Sequence, residues 1–193
     1  YARYAKVEKS GQRANIPVSY PRFINLPKIG MNLAPYFMAL RLYFAIKKNV
    51  KTFGDFDLID AHYFYPDGVA VEMVARWLNK PYVCTARGSD ITTLPQYPYP
   101  RKMVGKAVAS AKRVITVCQA LMNEMHDLGY RPQKEQVLRN GVDLEGFRPL
   151  ENRDQVKRSL GFSTEAFNIV SVGNLNHRKG QQLTIQAIKN IPN

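Results

Sequence analysis

Between Asp57 and Arg139, short apolar runs alternate with stretches of helical periodicity, and this rhythm constrains the fold more tightly than any other feature of the chain. The runs are Asp57–His62, Pro81–Thr85, Arg113–Cys118 and Gln136–Arg139; the helical stretches span Pro66–Asn79, Arg101–Ala111 and Gln119–Leu128. Strands with few polar positions need cover on both faces, and intervening helices of about three turns supply it. The pattern therefore predicts a parallel sheet with helices on either side. Within Pro66–Asn79, Val69, Met73, Val74 and Trp77 recur at the spacing of an inward face. Ligands of such sheets lie at the carboxyl ends of the strands. The positions that matter are then His62 to Gly68, Ala86 to Asp90, Gln119, and Asn140 to Asp143.

The last strand runs into RNGVDLEGFRP, Arg139 to Pro149. Asn140-Gly141 is a strong turn dipeptide, the Asp143 side chain can bond nearby backbone amides, and Phe147 and Pro149 anchor the exit. A second helix-then-strand unit follows: a helix over Asn152–Leu160, a strand over Phe167–Val172, a polar loop from Gly173 to Gly180 and a helix over Gln181–Asn190. The expected domains are 1–149 and 150–193. Because the chain opens on Tyr1 and stops at Asn193 straight after a helical run, both ends read as cut. Residues 1–32 read as irregular or short-stranded, broken by Pro17, Pro21, Pro27 and Gly30. Pro35 suits the first turn of a helix to about Lys51, with Leu33, Phe37, Leu40 and Phe44 on one face and Lys47, Lys48 and Lys51 at its negative end.

The formal charge of +13 is unevenly placed. Residues 1–53 carry ten basic side chains (Arg3, Lys6, Lys9, Arg13, Arg22, Lys28, Arg41, Lys47, Lys48, Lys51) against the single acid Glu8, a local balance of +9. Tyr20, Phe23, Tyr36, Phe37, Tyr43 and Phe44 interleave with them. Such an end can meet nucleic acid, an anionic membrane or an anionic lipid-linked substrate, or simply be solvated. The two cysteines, Cys84 and Cys118, lie in apolar runs without metal-ligand spacing, as expected of buried, reduced thiols in a cytoplasmic protein. No apolar run reaches the roughly 18 to 20 residues that cross a bilayer.

Two loops could carry chemistry. In the first, Gly173 to Gly180, a strand ends in glycine, Arg178 and Lys179 follow, and a helix opens: the parts of a diphosphate site. It matches neither a Walker loop nor the G-x-G-x-x-G fingerprint. In the second, Ala86 to Ile91, Arg87 can hold an anion, Gly88 permits close backbone approach, and Asp90 can accept from hydroxyls. Alternatively Ser89 or Asp90 merely caps backbone amides. His62 precedes Tyr63, Phe64 and Tyr65, a rim suited to sugar or lipid, although a lone strand-end histidine is more often structural. His126 and His177 lack metal-site spacing, and no nucleophile elbow or glycosidase-like carboxylate pair is present.

FDLIDAHYFYPDGVA, PYVCTARGSDI, RVITVCQALMNEM, LRNGVDLEGFRP and IVSVGNLNHRKG occur in that order over nearly the whole chain. Together they resemble an internal portion of a family 4 glycosyltransferase of the GT-B fold. The resemblance implies two Rossmann-like domains facing across a cleft, acceptor mostly on the first and sugar nucleotide mostly on the second. It implies retaining transfer to a polysaccharide, glycolipid or lipid-linked acceptor at the inner face of the plasma membrane, without a cofactor or obligatory metal. The basic end, residues 1–53, is then expected to face an anionic membrane rather than nucleic acid. By resemblance Asn140 and Gly141 lie near the donor, Gly173, Asn174, Arg178 and Lys179 hold its diphosphate, Arg87, Gly88 and Asp90 stand at the reaction centre, and His62, Tyr63 and Tyr65 face the acceptor. Two positions depart from the family pattern. Asn174 stands where an arginine is usual, with Arg178 expected to compensate, and Arg87 where a histidine is frequent. Arg87 cannot act as a base near neutral pH but can stabilise leaving-group charge. The family's glycine-rich loop is expected upstream of Tyr1 and its paired glutamates downstream of Asn193, so the 193 residues alone are expected to be inactive. A catalytically inactive GT-B-like binding or scaffold module remains the alternative.

Overall fold

The computed structural model describes residues 6–26, 30–189 and 191. Arg3, Pro27 and Lys28 of the basic end, and the expected helix end at Asn190, lie outside them. The chain divides into two compact units, Tyr1–Gly141 and Val142–Asn193.

The first unit opens with an antiparallel hairpin, β1 (Ser10–Arg13) and β2 (Ile16–Ser19), in register Arg13↔Ile16. Its two turn residues, Ala14 and Asn15, have φ of 46° and 66°, the backbone of a two-residue hairpin turn. Helix α1 (Gly30–Phe53) starts earlier than expected, so Pro35 lies inside it rather than in its first turn. Proline has no N–H for the carbonyl four residues back. That carbonyl belongs to Met31, and the Tyr65 hydroxyl donates to it instead.

The face that α1 turns inward is not the one that carries Leu33, Leu40 and Phe44. Small Ala34, Pro35 and Ala39 are buried, flanked by partly buried Met38, Leu42, Tyr43 and Ile46, whereas Leu33, Leu40 and Phe44 are exposed along with Tyr36. Small residues let α1 lie close against α2 (Val69–Leu78), where Tyr43 meets Trp77 edge-on, centroids 5.9 Å apart. Val69, Met73 and Val74 are buried as expected; Trp77 stays 44% exposed on the flank.

Strands β3 (Ile59–His62), β4 (Tyr82–Ala86), β5 (Arg113–Thr116) and β6 (Glu135–Val137) form one parallel sheet in sequential order. The register pairs His62 with Thr85, Thr85 with Ile115, and Thr116 with Val137. A kinked segment, Phe64–Gly68, with Tyr65 extended, leads into α2; α3 (Ser89–Thr92), α4 (Pro98–Ser110) and α5 (Gln119–Asp127) complete the cover. Phe64, Val74, Cys84, Ile91, Val104, Val114, Met122 and Met125 fill the core. Cys84 is buried as expected, but Cys118, just past the end of β5, is exposed. A Cβ on Gly68 would stand 2.8 Å from the Cys84 sulfur, so the start of α2 reaches β4 only through glycine. The buried Glu72 carboxylate, 3.5 Å from Arg76 and 3.1 Å from Lys106, ties α2 to α4.

The second unit holds α6 (Arg153–Ser159), capped by Asn152 Oδ1 accepting from the Gln155 amide at 3.0 Å, and α7 (Gln181–Ile188). Asp143 Oδ1 accepts from the amides of Glu145 and Gly146, as its turn chemistry predicts. Phe147 does not anchor the turn, being 77% exposed. Phe167–Val172, expected as a strand, belongs to no sheet among the described residues. A strand is held by its neighbours' amides and carbonyls, and this segment has no such ladder; Phe167 and Val172 stand exposed.

Candidate active site

The carboxyl end of β3 and the loops that leave β4 and β6 bring His62, Arg87 and Asn140 together. Arg87 follows β4 directly. One Nη donates to Asn140 Oδ1 at 2.9 Å, and the other lies 2.9 Å from His62 Nδ1. On the far side of the imidazole, His62 Nε2 is 3.3 Å from Asp60 Oδ2. Asp60 and His62 are two residues apart on β3, so the period of the strand puts both on one face. The result is a line of side chains, Asp60, His62, Arg87 and Asn140, across the upper edge of the sheet, with the guanidinium exposed.

The backbone beneath Arg87 is fixed by Asp90. Its carboxylate is fully buried and accepts from the amides of Phe64 (2.8 Å), Arg87 (3.1 Å to Oδ1) and Gly88 (2.7 Å). The carboxylate thus ties the loop after β3 to the loop after β4, the backbone-capping role open to it from the sequence; no oxygen of it is presented to solvent. Gly88 has φ of 144°, a region closed to other residues, which explains glycine at this bend. Tyr63 also carries a positive φ, 79°, held by its amide to the Thr85 carbonyl (2.8 Å) and its hydroxyl to Ser89 Oγ (2.6 Å).

Of the expected acceptor-side residues, His62 and the half-buried Tyr63 lie at this edge. Tyr65 does not line an open rim: it is 3% exposed, with its hydroxyl spent on Met31, and burial raises its phenol to about 12. Phe64 is wholly buried. Gly141 follows Asn140 at the end of the first unit and is exposed, as is Gln119. In the second unit, Gly173, Asn174, Arg178 and Lys179 are exposed on one loop, Arg178 and Lys179 within a 3-10 turn (His177–Lys179) that ends at Gly180. The Asn174 carbonyl accepts from Gln181 Nε2 at 3.3 Å, which fastens the loop to α7.

Asp60 is the member of the line that sequence reasoning passed over; its i, i+2 relation to His62 on a strand was the available signal. Elsewhere in the first unit a cavity of about 690 Å³ is lined by Tyr20, Arg22, Phe23, Arg41 and Asp67, among others. Of the strand-end positions singled out in the sequence, Asp67 lines it, whereas His62, Arg87 and Asn140 do not, and the convergence of polar side chains locates the chemistry better than the cavity does. Among the described residues no group of three His, Cys, Asp or Glu side chains could hold a metal ion.

A parallel sheet with polar and cationic side chains gathered at its carboxyl edge is the arrangement of a Rossmann-like ligand-binding unit. Residues 4–145 match the family model described as Glycosyltransferase Family 4, and the chain belongs to that family. It is 33% identical over 138 residues to TuaC of Bacillus subtilis (strain 168), which is named for glycosyl transfer in teichuronic acid biosynthesis; the match covers 70% of this chain and 35% of that protein. It is 27% identical over 143 residues to D-inositol 3-phosphate glycosyltransferase 1 of Catenulispora acidiphila, covering 69% of this chain and 34% of the relative. The chain thus spans about a third of the length of the curated relatives it matches. Among solved structures it resembles sucrose-phosphate synthase from Thermosynechococcus elongatus, with a TM-score of 0.76 at 14% identity over 97% of this chain and 47% of that one. It also resembles Anabaena Alr3699/HepE in complex with UDP, with a TM-score of 0.62 at 20% identity over 88% of this chain and 44% of that one. These likenesses establish the GT-B fold.

Proposed function

We propose that the intact protein is a retaining glycosyltransferase. It moves a sugar from a nucleoside-diphosphate sugar to a polysaccharide, glycolipid or lipid-linked acceptor. The observation that carries this reading is the Arg87 guanidinium, held at the carboxyl edge of the parallel sheet by His62 and Asn140. A fixed cation there suits the charge that develops on a departing diphosphate. In the reaction the bond from the anomeric carbon to the diphosphate oxygen breaks, and the acceptor oxygen bonds to that carbon on the same face. The acceptor's proton passes to the departing phosphate. On the second unit, Arg178 and Lys179, with Asn174 beside them, are the diphosphate contacts that the family resemblance implies, and no metal is required. The 193 residues alone are expected not to transfer sugar.

The test is a panel of uridine- and guanosine-diphosphate sugars offered to the intact protein, with the anomer of any product read by NMR. One donor should support transfer with retention, and Arg87→Ala should lower the rate by about 10²-fold. Inversion at the anomeric carbon overturns the retaining mechanism. Nucleotide binding with no transfer from any donor would favour a GT-B-like binding module, the reading that the uncharged Asn174 supports.

We further propose that the protein sits peripherally on the cytoplasmic leaflet and meets anionic lipid through residues 1–53, rather than nucleic acid. Helix α1 holds no acidic residue, and its exposed Leu33, Tyr36, Leu40 and Phe44 precede exposed Lys47, Lys48 and Lys51. No helix of the described residues is long and apolar enough to cross a membrane. Neutralising the three lysines should release the protein from phosphatidylserine vesicles; unchanged sedimentation with them refutes the assignment.

A further inference from the structure

The contacts of Arg87 determine which nitrogen of His62 carries the proton. A guanidinium has only donors, so His62 Nδ1, 2.9 Å from an Arg87 Nη, must be the acceptor and bears no hydrogen. The proton of the neutral ring is then on Nε2, which faces Asp60 Oδ2 at 3.3 Å. The negative charge of Asp60 beside Nε2 favours the tautomer that Arg87 needs. Neither nitrogen is left to take a proton from an acceptor hydroxyl: one lone pair is occupied by Arg87, and the other nitrogen already carries its hydrogen.

We infer that His62, with Asp60 behind it, is a positioning residue that orients Arg87 toward the anionic group of the ligand. This replaces the acceptor-side role that the family resemblance implies. An exposed arginine otherwise samples many rotamers, and ordering it on binding weakens the contact. Two acceptors from different strand ends, His62 at the end of β3 and Asn140 after β6, grip one Nη each. Three N–H groups remain, the Nε–H and one on each Nη, enough to meet a phosphate with two parallel hydrogen bonds. The inference rests on the reading of Arg87 as the cation for a nucleoside diphosphate.

The experiment measures binding of UDP and GDP to the intact protein by calorimetry, together with donor and acceptor KM and kcat once the active donor is found. The variants are His62→Ala, His62→Asn, His62→Gln and Arg87→Ala, with His62→Ala also made in the Arg87→Ala background. Asparagine can place an oxygen near the position of Nδ1, whereas glutamine extends its amide toward Nε2. His62→Ala should weaken diphosphate binding by about tenfold, His62→Asn should recover most of that loss, and His62→Gln should not. In the Arg87→Ala background, His62→Ala should add less than about twofold, because the two residues act through one contact.

The positioning role is overturned by an effect confined to acceptor KM, by equal rescue by asparagine and glutamine, or by additive losses in the double variant. If Arg87→Ala alone leaves diphosphate binding and transfer unchanged, the reading of Arg87 fails first and takes this inference with it. If Arg87→Ala is damaging while His62→Ala is harmless, only the positioning role fails. The isosteric asparagine and glutamine variants keep the comparison decisive should the alanine variant fold poorly.

Discussion

The carboxylate of Asp90, wholly enclosed after β4, accepts the amide of Phe64 at 2.8 Å, across 26 residues of sequence. With the Arg87 and Gly88 amides on the same carboxylate, this contact sets the height of the two loops relative to each other. Asp90→Ala strands three backbone donors in the core and should cost roughly 3 kcal/mol of stability. Asp90→Asn also fails, because its amide nitrogen faces donors. Urea midpoints of the two variants against the parent protein provide the check.

Gly68→Ala would push a methyl group to 2.8 Å from the Cys84 sulfur. Both sites are buried, so the methyl cannot turn toward solvent. The expected loss is about 1–3 kcal/mol. Combining it with Cys84→Ala should return part of that loss by removing the sulfur, and non-additive melting temperatures in the double variant would reveal this.

Tyr65→Phe removes the donor that Met31 has in place of its helical amide. The loss should be about 1 kcal/mol in the parent protein. In a Pro35→Ala background the backbone N–H is restored to the same carbonyl, so the effect of Tyr65→Phe should shrink. Equal losses in both backgrounds would show that the hydroxyl and Pro35 are unrelated.

Burial raises the Asp67 carboxyl above its ordinary range; a hydrogen bond from its own backbone opposes this, and the charge of Asp90 adds to it. A carboxyl raised by folding binds its proton more tightly in the folded state. Its contribution to stability is therefore greatest below the unfolded value and declines as pH rises through the folded one. Asp67→Asn should raise the melting temperature at neutral pH, and the advantage should disappear below the ordinary value of 3.8. A gain independent of pH would point to packing instead.

The thiols should separate cleanly. Burial first, and then the nearby carboxylates of Asp90, Asp60 and Asp67, hold the Cys84 thiol well above its ordinary range, while Cys118 is exposed. A disulfide exchange reagent should titrate Cys118 promptly under native conditions and Cys84 only as the protein unfolds. Rapid modification of both would contradict the enclosed core around Gly68.

The parallel sheet was legible because the runs at βα spacing are most apolar at β4 and β5, the two inner strands, where burial on both faces demands that composition, whereas the outer strands β3 and β6 are more exposed. Pro35 misled because its cost inside α1 is met by Tyr65, thirty residues away, a compensation with no local signature. Leu33, Leu40 and Phe44 do share a face, as their spacing indicates, but close packing on α2 buries the smaller Ala34 and Ala39 instead. Phe167–Val172 has a strand's composition, but composition does not supply the hydrogen-bonding neighbour a strand requires. In the site, Arg87, His62 and Asn140 were each visible as strand-end residues. Their mutual contacts span 25 and 53 residues and exist only once the sheet is assembled. Asp90 could be read either as a ligand contact or as a cap, and only its burial separates the two.

The edge-on meeting of Trp77 with Tyr43 gives the molecule an internal reporter. Trp77 is the one indole in the chain, and its neighbour is on α1, the basic helix with the open apolar stripe. Any partner that tilts or draws away that helix changes the surroundings of a single chromophore. Emission colour and tyrosine-to-tryptophan energy transfer can therefore follow the helix optically, without a label.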